Sequence, residues 1–144
     1  MHGLSDNLEV RYVNAPVSAA DNTDDNSTII DMQDYESAMF IVSITDSVAT
    51  GVATLTVQQN DANSDSGMAA VTGAAATATS AQNDDLNGTV LVAEVRNPTE
   101  RYIQGTITSA TANIAFGDTI VILKPRRLPA EQGATVSDTA YVSP

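Results

Sequence analysis

The chain has 144 residues, no cysteine, and 18 Asp and Glu against 6 Lys and Arg, for a formal net charge of −12. That length suits one domain with its own core, and the missing cysteines exclude disulfides, thiolate zinc sites and a thiol nucleophile. The acidic balance argues against nucleic acid as a partner, because phosphate contacts need a basic surface.

The charge is unevenly spread. Residues 1–85 hold thirteen acids and only Arg11, whereas residues 86–144 hold five acids and five bases. Half of all the positive charge sits in Lys124, Arg126 and Arg127, at the end of DTIVILKPRRLP. The N-terminal MHGLSDNLEV lacks the basic start and apolar stretch of a signal peptide, and no apolar run approaches the ~20 residues of a membrane helix, so a soluble product with no membrane partner is expected. Ala, Thr, Val and Ser dominate, and β-branched residues come in short blocks between Gly, Asn, Asp and Ser, which predicts an all-β fold.

Residues 1–7 read as a flexible N-terminal segment. LEVRYVNA (8–15) alternates Leu8, Val10 and Tyr12 against Glu9, Arg11 and Val13, the period of a strand with one wet face. Pro16 and the acidic DNTDDN (21–26) predict a polar loop, and 28–32 a short strand. AMFIVSI (38–44) is apolar on both faces, which predicts a central strand covered on both sides. GVATLTVQQ (51–59) places Ala53, Leu55 and Val57 on one face.

NDANSDSG (60–67) is a turn by composition, and the small-residue stretch 68–82 is compatible with a weak strand or a surface loop. Asn87-Gly88 signals a turn, TVLVAEV (89–95) a strand, and Asn97-Pro98 its end. Residues 101–108 and 114–123 read as a hairpin joined by SATAN, with a bulge or kink at Gly117-Asp118. About seven short strands over residues 8–128 point to a single β-sandwich or jelly-roll-like domain. Residues 129–144 are polar with isolated Val136, Tyr141 and Val142, the composition of a tail or an arm that needs a surface to order on.

Chemistry finds little support. His2, the only histidine, sits beside a terminus, and the pairs Asp24-Asp25 and Asp84-Asp85 lie in loop-like stretches. No phosphate-binding glycine loop is present, so no catalytic residue, no cofactor and no enzymatic activity are expected. Asp61, Asn63 and Asp65 alternate as oxygen ligands for calcium would. Gly67 falls one place late for a calcium loop, however, and Thr72 stands where a bidentate Glu belongs; a plain turn accounts for the same residues. The basic cluster is either an edge guard, as Lys, Arg and Pro often are, or a docking point whose planar guanidinium groups hold a partner's carboxylates.

The order of these elements resembles a known group. Asp34-Tyr35-Glu36-Ser37 enters the apolar strand Ala38–Val42, and a strand ending in glutamines runs into the acidic, serine-rich loop within Leu55–Gly67. Arg101-Tyr102-Ile103 opens another strand, and Pro125-Arg126-Arg127 closes the last. Over about residues 5–128 this is similar to small head proteins of tailed bacteriophages and prophages, of the capsid decoration (cement) type; the Ala/Thr stretch 68–82 and the tail depart from the pattern.

The resemblance implies a non-enzymatic structural protein on the capsid exterior of the virion. Its partners would be the major capsid protein and further copies of itself, a homotrimer or a dimer, bridging capsomers through many joined weak contacts. Contact residues expected on this reading are Arg101, Lys124, Arg126 and Arg127, with Leu4–Leu8 and Tyr141-Val142 as arms. The rival readings are a head-tail joining or tail component, and a carbohydrate- or calcium-binding β-sandwich module. The absence of Trp weakens the sugar version, since aromatic platforms carry sugar stacking.

Overall fold

The computed structural model describes residues 3–144; Met1 and the sole histidine, His2, lie outside the described residues. A four-residue helical turn, α1 (Leu4–Asn7), is followed by ten strands: β1 (Glu9–Asn14), β2 (Val17–Ala20), β3 (Asp24–Asn26), β4 (Ile30–Asp31), β5 (Tyr35–Ser47), β6 (Val52–Asn60), β7 (Ala69–Thr79), β8 (Thr89–Arg96), β9 (Tyr102–Ala110) and β10 (Ile114–Pro125). They form two antiparallel sheets, one ordered β1-β10-β5-β8 with β2 also on β10, the other β3-β9-β6-β7 with β4 also on β9. The protein is an all-β sandwich, and from β7 onward successive strands cross between the sheets.

Alternation builds the core. Phe40, Val42 and Ile44 of β5, Val121 and Leu123 of β10 and Leu91 and Val95 of β8 face Ala53, Leu55 and Val57 of β6 and Ile103 and Ile107 of β9, all buried. The two inner faces thus interdigitate as in other aligned sandwiches. Gly105 of β9 faces the Phe40 ring: a Cβ there would lie 2.8 Å from Phe40 Cδ1, so the aromatic ring occupies the space that a side chain would need.

Four expectations are corrected. In β1 the buried positions are Glu9 and Val13, while Val10 and Tyr12 are exposed. A strand inverts every side chain for a one-residue change of face, and here burial of Val13 and a complete set of partners for Glu9 outweigh the apolar pair. β5 is central in its sheet, between β10 and β8, yet only one of its faces meets the core; Met39 and Ile41 on the other are half-buried. β9 and β10 do not form a hairpin, because β9 is flanked by β6 and β3/β4 and β10 by β5 and β1/β2, so their connection crosses from one sheet to the other.

The fourth correction is at Pro16 and residues 21–26, read as a polar loop: this stretch contributes β3 and is interrupted by β2, and both are parts of interrupted edge strands. Their pairing is driven by the unfilled backbone groups of β10 and β9, a demand that local composition does not reveal. The stretch 68–82 contains the edge strand β7, paired with β6. The Gly117-Asp118 irregularity is present as a register shift between Phe116 and Thr119. The Asn87-Gly88 turn is present too, with Gly88 at φ +79°.

The tail runs back along β1. The Gln132 side-chain amide accepts from the Val10 N–H (2.9 Å) and donates to the carbonyls of Leu8 (2.7 Å) and Ser5 (3.1 Å). It therefore offers the free edge of β1 one donor and one acceptor, as a neighbouring peptide group would. Thr135 Oγ1 accepts from the Tyr12 N–H, and the Ala130 N–H reaches the Asp6 carbonyl at 2.7 Å. The edge is covered without adding a strand, one of the ways proteins blunt an open sheet edge.

Candidate interaction surface

Four of the six cations are held by acids of this chain. Arg101 makes a bidentate pair with Asp31, both bonds 2.8 Å, donates to Gln33 Oε1 at 2.7 Å and lies 5.2 Å over the Tyr102 ring. Asp31 pairs with Tyr102 in the β4–β9 ladder, so this arginine staples a two-residue strand to its neighbour. Arg96 and Lys124 approach opposite oxygens of Glu36, at 3.0 and 3.4 Å. Arg11 meets Glu9 at 2.7 Å and donates to the Tyr35 hydroxyl, which itself donates to Glu9.

Arg126 and Arg127 differ. Both are exposed, and among the described residues neither has a carboxylate within ion-pair distance. The Arg126 backbone N–H bonds to the Asp34 carbonyl at 2.9 Å, which anchors the chain while leaving the guanidinium outward. They flank an open groove with Asp34, Tyr35, Pro129 and Gln132. The basic cluster therefore divides: Lys124 belongs to the sheet, and the two arginines face solvent. An outward, unpaired guanidinium is available for a carboxylate on a partner.

Tyr141 and Val142 are also exposed, at the end of the tail. The Tyr141 ring lies against Gly3, where a Cβ would come within 2.9 Å of Tyr141 Cδ2, so the two ends of the described chain meet. Leu4 on α1 is exposed beside them.

The sequence reading missed a larger feature: the outer face of the sheet containing β5. Two cross-strand rows, Val10–Ile122–Met39–Glu94 and Tyr12–Ile120–Ile41–Val92, lie side by side across four strands, with Val90 in the next row. Tyr12, Val90 and Val92 are 44%, 57% and 43% exposed. The apolar alternation of 8–13 and the two-sided apolarity of 38–44 were both signals of this face, and both pointed instead to burial.

The acidic turn at 60–67 is organised by Asn60, which is buried. Its amide nitrogen donates to the carbonyls of Ser64 and Ser66 (2.9 Å each), and its Oδ1 accepts from the Ala62 N–H. A neutral amide thus holds the inward carbonyls of the loop. Asp61, Asn63 and Asp65 all project as exposed side chains, and no group of three or more His, Cys, Asp or Glu among the described residues is placed to hold a metal.

The paired acids set a pH dependence. The Arg101 hydrogen bonds hold the Asp31 carboxyl below its ordinary range. The unfolded chain therefore binds more protons in acid, and the contribution, full above the ordinary Asp pKa of about 4, is lost as pH falls through the lowered folded value. Burial, then Glu9, pushes Tyr35 up, so its contribution is full below about pH 10 and is lost as pH rises through the raised value. Asp31→Asn is expected to flatten the acid limb in urea midpoints measured from pH 6 down to pH 3. The change is no more than about 1 kcal/mol, because both partners are nearly half exposed. An unchanged acid limb would show the pair to be inert.

These features define a two-sheet β-sandwich. No helix of the described chain is long and apolar enough to cross a membrane. No family model and no curated protein matches the sequence. Among solved structures the chain is similar to the PBSX exported protein XepA, with TM-score 0.54 and 10% identity over 99% of this chain and 46% of that one. It therefore spans about half the length of that protein.

Two looser likenesses are to carbohydrate-binding modules. One is the CBM22-1–GH10 part of the Clostridium thermocellum endo-1,4-β-D-xylanase 10B complexed with xylohexaose, at TM-score 0.45 and 13% identity over 84% of this chain and 30% of that one. The other is a CBM4 structure, at 0.44 and 10% over 85% and 88%. At such identities the likeness is one of fold.

Proposed function

We propose that the chain is a non-enzymatic structural protein of a phage particle, a decoration protein that binds the outer surface of the head and bridges capsomers of the major capsid protein. The observation that carries this reading is the pair Arg126 and Arg127, exposed where the fold ends and free of acid partners among the described residues of a molecule of charge −12. Such a surface repels DNA and its own kind at most points, yet offers fixed guanidinium groups to an acidic patch on a shell. The resemblance of the strand order to decoration proteins and the sandwich shared with XepA support the reading. Each contact is weak, and repetition over a symmetric shell supplies the affinity.

Purified protein mixed with capsids lacking it is expected to bind saturably and at many symmetric positions. Arg126→Ser with Arg127→Ser is expected to weaken occupancy about tenfold and to reduce its salt dependence, consistent with up to ~1 kcal/mol for each exposed charge. Occupancy and salt dependence equal to wild type would leave the cluster as an edge guard. No binding to mature shells, with only a few copies at one vertex of the virion, would favour a head-tail joining component instead.

A further inference from the structure

We infer that the outer face of the β1-β10-β5-β8 sheet docks a second copy of this chain. The two sheets pack face to face about a twofold axis that lies in the interface, perpendicular to the strands. This deepens the structural-protein reading by naming its self-contact. The test uses no capsid, so the two fail separately.

Three observations carry it. First, Tyr12, Met39, Ile41 and Ile120 form a contiguous apolar platform that continues to Val90 and Val92, while Val10 and Ile122 at its corner share a groove with Leu4 and Val136 of the chain's own ends; exposed patches of this kind mark contact sites. Four strands about 4.8 Å apart and six to seven residues at about 3.4 Å each give roughly 19 by 22 Å. Less the corner shared with the tail, two such platforms bury somewhat under about 1,000 Å² in all, below the usual size of stable interfaces, which suits a weak, reversible pair.

Second, the face holds a small share of the acidic charge and pairs part of it internally. It carries Arg96 and Lys124 against Glu36, Glu94, Asp118 and, at the far end of β5, Asp46, two positive and four negative, in a chain of net −12. Two identical acidic molecules repel least where each has cancelled its own charge.

Third, the polarity is self-complementary. Asp118 and Lys124 stand at the two ends of β10, with Ile120 and Ile122 between them. An in-plane twofold over Val121 reverses the second β10. It then sets Asp118 against the other copy's Lys124, and Ile120 against its Ile122, each contact occurring twice as an isologous interface requires. Asp118 already accepts from the Tyr12 hydroxyl at 2.7 Å, which holds its carboxylate over the platform. A partner of a different kind would need its own match to both ends; a second copy supplies it by symmetry.

Sedimentation equilibrium of the full chain from micromolar to submillimolar concentration tests this. The mass is expected to rise from 15.0 kDa toward twice that value. Val92→Glu, at the exposed edge of the platform, is expected to weaken association about tenfold or more with an unchanged circular dichroism spectrum and melting curve. Asp118→Lys is expected to weaken it as well, and Lys124→Glu added to Asp118→Lys to restore it to within a few-fold. A mass of 15.0 kDa throughout, a threefold mass, or a Val92→Glu curve equal to wild type overturns the proposal. Failure of the double charge reversal to restore association overturns the head-to-tail axis.

Discussion

Alanine at Gly105 is expected to destabilise the fold by about 1–3 kcal/mol, the usual cost of an extra carbon in a filled core. The position is fully enclosed between β3/β4 and β6, and the added Cβ would meet Phe40 Cδ1 at 2.8 Å and Cε1 at 3.2 Å. Neither side yields easily: Gly105 sits in a central strand, and the Phe40 ring is itself wholly buried. The complementary change, Phe40→Ala, empties that space and is expected to cost about 3–5 kcal/mol. This is a large part of the 5–15 kcal/mol total typical of a domain.

Because the two residues share one volume, Phe40→Leu combined with Gly105→Ala is expected to be more stable than the sum of the single losses. Urea unfolding of the four proteins measures this directly. A Gly105→Ala midpoint equal to wild type would mean that the close approach of ring and backbone carries no packing constraint.

Glu9→Ala is expected to cost about 2–3 kcal/mol. The carboxylate is buried on the core side of β1, yet it accepts from Arg11 Nε at 2.8 Å and from the Tyr35 hydroxyl at 3.0 Å. Removing it strips the Arg11 Nε–H and the Tyr35 O–H of their acceptor, and leaves the Arg11 charge with only the phenol oxygen to donate to. Breaking fully buried ion pairs costs about 3–5 kcal/mol; the lower figure here reflects the Arg11 side chain, 29% exposed to water. Tyr35→Phe is expected to cost less, since it removes the two hydrogen bonds of the hydroxyl, one from Arg11 and one to Glu9, but leaves the ion pair. If Glu9→Ala and Tyr35→Phe lose equal stability, the ion pair contributes nothing beyond the phenol.

These two sites also mark where sequence reasoning succeeded and where it did not. The alternation of Ala53, Leu55 and Val57 identified the inner face of β6 correctly, because the opposite positions are Thr, Thr and Gln, and only one face suits burial. In β1 the same rule chose the wrong face. Val10 and Tyr12 are apolar, but the acceptable alternative, Glu9 with Val13, depends on Tyr35 and Arg11 closing around a carboxylate. Nothing within residues 8–15 records that Tyr35, 26 positions away, ends beside Glu9. The β9–β10 hairpin failed for a related reason. A short connection between two strands suggests pairing, yet each strand already had neighbours on both sides, from residues as distant as Val10 and Val52.

For the contact surface the division is similar. The concentration of positive charge at 124–127 is visible in the sequence, but which of those cations remain free is decided by Glu36, whose carboxylate takes Lys124 and Arg96 and leaves Arg126 and Arg127 outside. Composition and period determined by themselves an all-β domain, an acidic exterior, the inner face of β6 and a break after β10, because each follows from local propensity and spacing. The tertiary structure alone decided which face of β1 and β5 meets water, which sheet each strand joins, and that the tail lies on β1 through Gln132. Those outcomes rest on long-range hydrogen bonds and packing, where the partner of a group lies tens of residues away and local pattern carries no record of it.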